Sequence, residues 1–254
     1  MRHHSDDVTL TSMKNGGIVM AAGKKDKVKY VVIPLVVVAL LVVVLVFIVY
    51  KRLTAPTYQL SDNLDTAVIT IDGDNITLRD TGVYIADVEE TFDKMAKAYN
   101  PNDPMEFWKV HFSAGQDSTF TNDYAKTYVK NLYVYDYVME KEAVGKGLDL
   151  TDAEKQEAVQ EGKDAYIDLT DKAVDVLGLT QQAVIVIYTR KKLVKKYVTS
   201  MVKEMKESGY EGDDLASQLN FDGDFYNNNI KTKYNIKYDD KQWENLPIGK
   251  ITIN

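Results

Sequence analysis

The chain has 254 residues, of which 45% are hydrophobic and 27% charged, and it contains no cysteine. The lack of cysteine excludes disulfide bonds, thiolate metal sites and thiol nucleophiles. Residues 1–52 carry eight Lys or Arg and three Asp or Glu, which leaves 23 basic and 35 acidic side chains, a balance of −12, for the rest of the chain. Because phosphate backbones repel an acidic surface, we expect no nucleic-acid partner.

An uncharged apolar stretch near the N-terminus predicts a transmembrane helix. Tyr30 to Tyr50 contains no charged side chain, and about 20 apolar residues are enough to cross a bilayer core of about 30 Å. We predict a tail over residues 1–27 and a single membrane-spanning helix over residues 28–50. A buried helix of a globular protein and a cleaved signal peptide are the alternatives, but the run is longer than either usually is.

Basic residues on the two sides of this stretch predict its orientation. Positive charge is retained on the cytoplasmic side of a membrane. Four lysines precede the uncharged stretch and two basic residues follow it: Lys24, Lys25, Lys27 and Lys29, then Lys51 and Arg52. We therefore expect a single-pass protein of the cell membrane, with the tail in the cytoplasm and the C-terminal part outside the cell.

A stalk is predicted over residues 51–65, because this segment has no hydrophobic periodicity, and a folded extracytoplasmic domain over residues 66–254. The domain opens with an alternating strand, Ala67 to Ile71, and the turn residues Asp72-Gly73-Asp74-Asn75. Helical periodicity and capping residues then predict four helices. The first helix carries five apolar or aromatic residues on one face: Tyr84, Val88, Phe92, Met95 and Tyr99. The second is predicted from Thr121 to Gly145, the third from the capping box Thr151–Glu154 to about Leu177, and the fourth from Thr180 to Ser208.

Two strands are predicted near the C-terminus, from Lys231 to Tyr238 and from Lys250 to Ile253. Strands at both ends of a helical domain suggest that the ends pair with each other. The expected fold class is therefore mainly α: one transmembrane helix and a helical domain with a small β-sheet formed by its N- and C-terminal strands.

Three motifs, in this order and at this spacing, resemble the N-terminal chaperone domain of the SurA and PrsA type of extracytoplasmic foldase. They are the strand and turn Val68 to Thr77, the junction Glu142 to Glu154, and the helix opening Leu177 to Arg190. Tyr234 to Trp243 is similar to that family's returning C-terminal strand. The resemblance implies a SurA N-like domain that binds unfolded or exported polypeptides.

Two departures from that family bear on activity. Many relatives insert a parvulin prolyl isomerase domain before the last strand, but only about two dozen residues fill this gap here, and the paired histidines of a parvulin site are missing. We therefore predict no prolyl isomerase activity and no enzyme. Beyond the tail pair His3 and His4, His111 is the one histidine. Neither a Ser-His-Asp pattern nor a nucleotide-binding or EF-hand motif is present, so no catalytic residue, cofactor or metal site is predicted.

A surface for polypeptide binding is expected among the aromatic side chains, since the chain has 17 tyrosines. Tyrosine gives a rigid, amphipathic contact at low entropic cost. A row at helical spacing on the second helix is the first candidate, and burial of that row between neighbouring helices is the alternative. The candidate residues are Val129, Tyr133 and Tyr137, with Met95, Tyr99, Phe107 and Trp108 as a rim.

The function predicted from these observations is that of a membrane-anchored, extracytoplasmic chaperone-like protein. The alternative is a non-catalytic interaction module that docks one specific partner in a secretion, cell-wall or signalling complex. A chaperone binds many unfolded chains weakly, whereas a dedicated module binds one partner tightly.

Overall fold

The computed structural model describes residues 37–51, 58–112, 118–210 and 214–252. The chain divides into two compact units, Met1–Thr57 and Tyr58–Asn254. In the first unit, residues 37–51 form a helix, α1, whose apolar side chains are exposed. Residues 28–36 of the predicted transmembrane helix lie outside the described residues. Among the described helices, none combines the length and the apolarity that a membrane span needs.

The second unit is mainly helical, with a small antiparallel sheet, as predicted. Its longest helices are separated by glycine- or proline-containing segments, as expected of residues that end helices. Short helical turns occur at Ser61–Asn63, Pro104–Lys109, Tyr226–Ile230 and Lys231–Lys233. The regular elements are β1 (Ala67–Ile71), β2 (Asp74–Thr77), α2 (Gly82–Tyr99), α3 (Thr121–Gly145), α4 (Asp152–Asp168), α5 (Asp171–Leu177), α6 (Gln181–Glu207), α7 (Leu215–Gln218), β3 (Ile236–Tyr238) and α8 (Asp240–Asn245).

The sheet joins the two ends of this unit, in the order β2-β1-β3. Asp72 and Gly73 both have positive φ, 51° and 95°, which is the two-residue turn that matches the twist of a hairpin. β3 pairs antiparallel with β1, placing Ile69 opposite Tyr238. The indole of Trp243, buried after β3, donates a hydrogen bond to the carbonyl of Val68 at 3.2 Å. The predicted pairing of the two ends is therefore confirmed.

The helices form a bundle in which α3 packs against both α2 and α6, and α6 also packs along α4. α4 begins with the predicted capping box, since Thr151 and Glu154 exchange hydrogen bonds. α4 and α6 approach closely at Gly162: a Cβ built there would lie 2.7 Å from the Cα of Ile185. A glycine on this face of α4 thus allows the two backbones to meet.

The segment predicted as a stalk is partly inside the folded unit. Leu60 and Leu64 are buried in the core, and Arg79 donates to the carboxylate of Asp65 at 2.8 Å. The folded unit therefore begins near Tyr58, before the predicted boundary at residue 66. Periodicity misses this segment because it has only short turns, although its two leucines are core residues.

The third predicted helix is interrupted, giving α4 and α5. Leu169 has extended backbone angles, and the Thr170 hydroxyl accepts a hydrogen bond from the Ala173 amide at 3.1 Å. Threonine at an N-cap starts a new helix instead of continuing the old one. The prediction of one helix to Leu177 was therefore wrong at this junction.

The C-terminal strands also differ from the prediction. Lys231–Lys233 is a helical turn, so only Ile236–Tyr238 of the first predicted strand is extended in the sheet. Residues 250–252 form no strand, and Ile253 lies outside the described residues. Instead, the buried carboxylate of Glu89 on α2 accepts hydrogen bonds from the amides of Gly249, Ile251 and Thr252. These contacts hold the segment against α2.

Candidate functional site

The tyrosine row on α3 lies largely inside the bundle. Val129 and Tyr133 are buried, at 0% and 3% exposure. The ring of Tyr133 packs edge-on against Tyr84, with centroids 5.3 Å apart. Tyr137 is half-buried, and its hydroxyl donates to Asp74 at 2.7 Å. These three residues were predicted to bind polypeptide, and this prediction was wrong for Val129 and Tyr133, because α3 has neighbours on two sides.

A polar network accompanies this row where α2, α3 and α6 meet. The Tyr84 hydroxyl donates to the buried carboxylate of Asp136 at 2.8 Å, and Arg190 pairs with Glu140 at 2.6 Å. Burial raises the pKa of Asp136 above its ordinary value, and it raises the pKa of Tyr133 to about 12. The Arg190 guanidinium lies 5.4 Å from the centroid of the Tyr133 ring. The Tyr84 hydroxyl, Asp136 and Nε of Arg190 thus have partners within the bundle, whereas Nη1 of Arg190 is buried without a hydrogen-bond partner in the described residues.

A second group of aromatic rings surrounds Phe92 on α2. Phe92 is itself buried, at 3% exposure. Five rings lie within 5.6–6.4 Å of its centroid and come from the turn Pro104–Lys109, the loop that follows it, and α3. These rings belong to Phe107, Trp108, Phe112, Tyr124 and Tyr128. Aromatic pairs of this kind hold a cluster rigidly.

Part of this cluster opens to solvent. Met95 is 43% exposed and Tyr99 is 55% exposed, one and two turns beyond Phe92 along α2. Phe112 is 36% exposed and stacks on Tyr124, with centroids 4.0 Å apart. The ring of Tyr99 lies 5.7 Å from that of Phe107. We call the exposed surface formed by Met95, Tyr99 and Phe112 the aromatic patch. Its floor is formed by Phe92 and the other four rings of the cluster, Phe107, Trp108, Tyr124 and Tyr128.

The predicted rim residues have different positions around this patch. Met95 and Tyr99 are on its surface, Phe107 is half-buried beneath Tyr99, and Trp108 is buried, at 3% exposure. The sequence placed Met95 and Tyr99 on the same helix face as the core residue Phe92. In the last turns of α2, this face of the helix is no longer covered by other elements, so Met95 and Tyr99 are exposed. Periodicity alone does not reveal where the cover ends. Phe112 was missed as a surface residue because it lies in a loop without periodicity.

His111 lies at the edge of the same loop. Its Nδ1 is 2.6 Å from the hydroxyl of Ser118, and its ring is 4.4 Å from that of Phe120. In the described ranges, no three His, Cys, Asp or Glu side chains converge as a metal site requires.

The chain matches no protein family, no curated protein and no solved structure.

Proposed function

We propose that the protein is a membrane-anchored, extracytoplasmic chaperone-like protein that holds unfolded or exported polypeptides. The observation that supports this proposal most strongly is the aromatic patch. Met95 and Tyr99 offer a flexible thioether and an amphipathic ring on one helix face, at 43% and 55% exposure. Such side chains adapt to many apolar partners without requiring one exact shape.

The cluster beneath the patch supports the same function. Because Phe92 is enclosed by rings from three parts of the chain, the exposed rings above it are positioned before a client binds. A preorganised apolar surface loses little side-chain entropy on binding. The exposed area is small, so each contact with an unfolded chain is weak and reversible, as a holding chaperone requires.

Absence of prolyl isomerase activity is part of the proposal. Between the end of α6 at Glu207 and the start of β3 at Ile236, the described residues form only α7 and short helical turns. This segment is too short for a parvulin domain. The resemblance to the SurA and PrsA chaperone domain, which the three sequence motifs carry, agrees with a holding activity that needs no catalytic site.

The membrane anchor is proposed from the sequence of residues 28–50. Tyr30 to Tyr50 has no charged side chain, and lysines precede it. We expect the whole chain, expressed in cells, to stay in the membrane pellet after extraction with alkaline carbonate. Release of the chain into the supernatant would contradict a transmembrane anchor and would leave the folded unit's activity to be tested separately.

Replacement of the patch side chains should weaken chaperone activity. In the double variant Met95→Gln and Tyr99→Gln, we expect the concentration of the whole chain that half-suppresses client aggregation to rise about tenfold, because apolar contact worth about 1–2 kcal/mol is lost. Glutamine keeps the helix propensity of α2. The assay is light scattering by several unrelated refolding proteins, with the chain in lipid nanodiscs.

A matched control exists elsewhere on the bundle. Val144 on α3 and Val186 on α6 are exposed apolar residues, at 61% and 48%, and they lie outside the patch. The double variant Val144→Gln and Val186→Gln should suppress aggregation as well as the unchanged chain does. Equal loss in both double variants, or no loss in either, would refute the patch as the binding surface.

A further inference from the structure

An acidic groove lies on the side of α2 away from the aromatic patch. Its apolar floor is formed by Ala86 on α2, Met105 in the turn Pro104–Lys109, Leu169 at the α4–α5 junction and Ala173 on α5. The groove has a volume of about 320 Å³. A second depression along α4 shares Glu90, Asp168 and Leu169 with it. The interruption between α4 and α5, which the sequence did not predict, thus opens a continuous groove.

Carboxylates dominate the walls of this groove. Six acidic side chains and one lysine line the two depressions: Asp87, Glu90, Asp93, Glu161, Asp164 and Asp168, with Lys97. Four of the six pair with lysines, for instance Glu90 with Lys94 at 2.6 Å and Asp93 with Lys97 at 2.5 Å. The Glu90–Lys94 pair is exposed on both sides, and an exposed ion pair contributes little stability, so Glu90 can exchange its lysine for another cation.

Asp164 and Asp168 have a different environment from the other four. Both are exposed. Within the described residues, Asp164 accepts a hydrogen bond from Gln160 at 2.8 Å, but neither carboxylate has an ion-pair partner. In addition, Oδ1 of Asp93 is buried and lacks a hydrogen-bond partner in the described part of the chain. The groove thus combines an apolar floor with uncompensated negative charge at its wall.

We propose that this acidic groove binds lysine- or arginine-containing apolar segments of client polypeptides. Apolar client side chains contact Leu169, Met105 and Ala173, and the client's cations pair with Asp164 and Asp168. The inference rests on the proposed chaperone function and specifies its clients: unfolded segments that carry basic residues between apolar ones. The charge balance of −12 from residue 53 onward adds long-range attraction for such segments.

Three fluorescent peptides test this specificity against the whole chain in lipid nanodiscs. Each repeats the unit Leu-Ser-Xaa, with Lys, Gln or Glu at Xaa, and affinity is measured by fluorescence anisotropy. We expect the Lys peptide to bind about tenfold more tightly than the Gln peptide at about 0.05 M salt and the difference to shrink at about 0.5 M salt. The double variant Asp164→Asn and Asp168→Asn should reduce this preference about fivefold.

A control variant removes two charges outside the groove. Asp62 and Asp224 are exposed and do not line it, so Asp62→Asn with Asp224→Asn should retain the preference for the Lys peptide. The charge-reversed variant Asp164→Lys with Asp168→Lys should favour the Glu peptide. Both variants should fold, since the exchanged side chains are on the surface, and tryptophan emission checks this.

The outcomes separate the groove from the chaperone function. If all three peptides bind equally and the chain still suppresses aggregation, the groove proposal is overturned and the chaperone function stands. If no peptide binds and no client is protected, both proposals are overturned. If the Lys preference is equally reduced by the control variant, general charge attraction explains it, and the groove proposal is again overturned.

Discussion

Replacing Glu89 with glutamine is expected to lower the free energy of unfolding by about 3 kcal/mol. The carboxylate is fully buried and accepts hydrogen bonds from the amides of Gly249, Ile251 and Thr252 and from the Thr252 hydroxyl, the last at 2.6 Å. Glutamine has one acceptor oxygen, and its amide hydrogens would face these donors. The C-terminal segment would then separate from α2, and Trp108, which packs on Gly249, would become exposed.

The neighbouring residue supplies the control for this prediction. Glu90 is exposed and pairs with Lys94 on the surface, so Glu90→Gln should change the free energy of unfolding by less than about 0.5 kcal/mol. Urea unfolding can be monitored by tryptophan emission. This signal reports on the unit Tyr58–Asn254, because Trp108 and Trp243 are both buried in it. A Glu89→Gln protein as stable as the Glu90→Gln protein would show that the buried carboxylate is not what holds the C-terminal segment.

Replacing Gly162 with valine should cost about 3 kcal/mol. A Cβ at this position would lie 2.7 Å from the Cα of Ile185 and 3.2 Å from its amide nitrogen. The neighbour is helix backbone, which cannot rotate away as a side chain can. The two helices would have to separate along their contact, and the packing of α4 on α6 would be lost.

Gly145 is the matched glycine for this experiment. It also lies in a helix, at the end of α3, but a Cβ there would have no atom within 4 Å. Gly145→Val should therefore leave the free energy of unfolding unchanged within about 0.5 kcal/mol, with a small gain from helix propensity. Both variants can be measured by thermal unfolding with circular dichroism. Equal effects at the two positions would mean that α4 and α6 are further apart than described.

Local chemistry accounts for the parts of the fold that the sequence predicted well. The turn at Asp72-Gly73, the capping box at Thr151 and the left-handed Gly178 are each determined by residues within a few positions. The helix end at Leu177 was predicted correctly for this reason. The break at Leu169 was missed, because Thr170 can sit within a helix or cap one, and tertiary packing decides between these states.

Long-range contacts account for most of the remaining errors. Glu89 and the segment from Gly249 to Thr252 are about 160 residues apart, and nothing near either one indicates that they meet. Likewise, the row of Val129 and Tyr133 has the spacing of an exposed stripe, but α2 and α6 both cover α3. A residue pattern predicts which residues share a face of a helix. It does not predict how many other helices pack against that helix.

The candidate site could be predicted only in part. Met95 and Tyr99 were named from the sequence, and they are exposed, but their floor of aromatic rings comes from three segments that the sequence cannot bring together. The acidic groove was not predicted at all. Its walls come from α2 and α4, and its floor depends on the unpredicted break at Leu169. Sites built between elements need the tertiary structure.

The most direct test of the chaperone function is suppression of aggregation by the unchanged whole chain. Several unrelated refolding proteins are mixed with it at stoichiometric ratios, in lipid nanodiscs, and a prolyl isomerisation assay is run alongside. We expect several clients to be protected and no isomerisation to be catalysed. Protection of none of them would contradict the chaperone function and would favour a module that docks one specific partner, to be found by crosslinking in membranes.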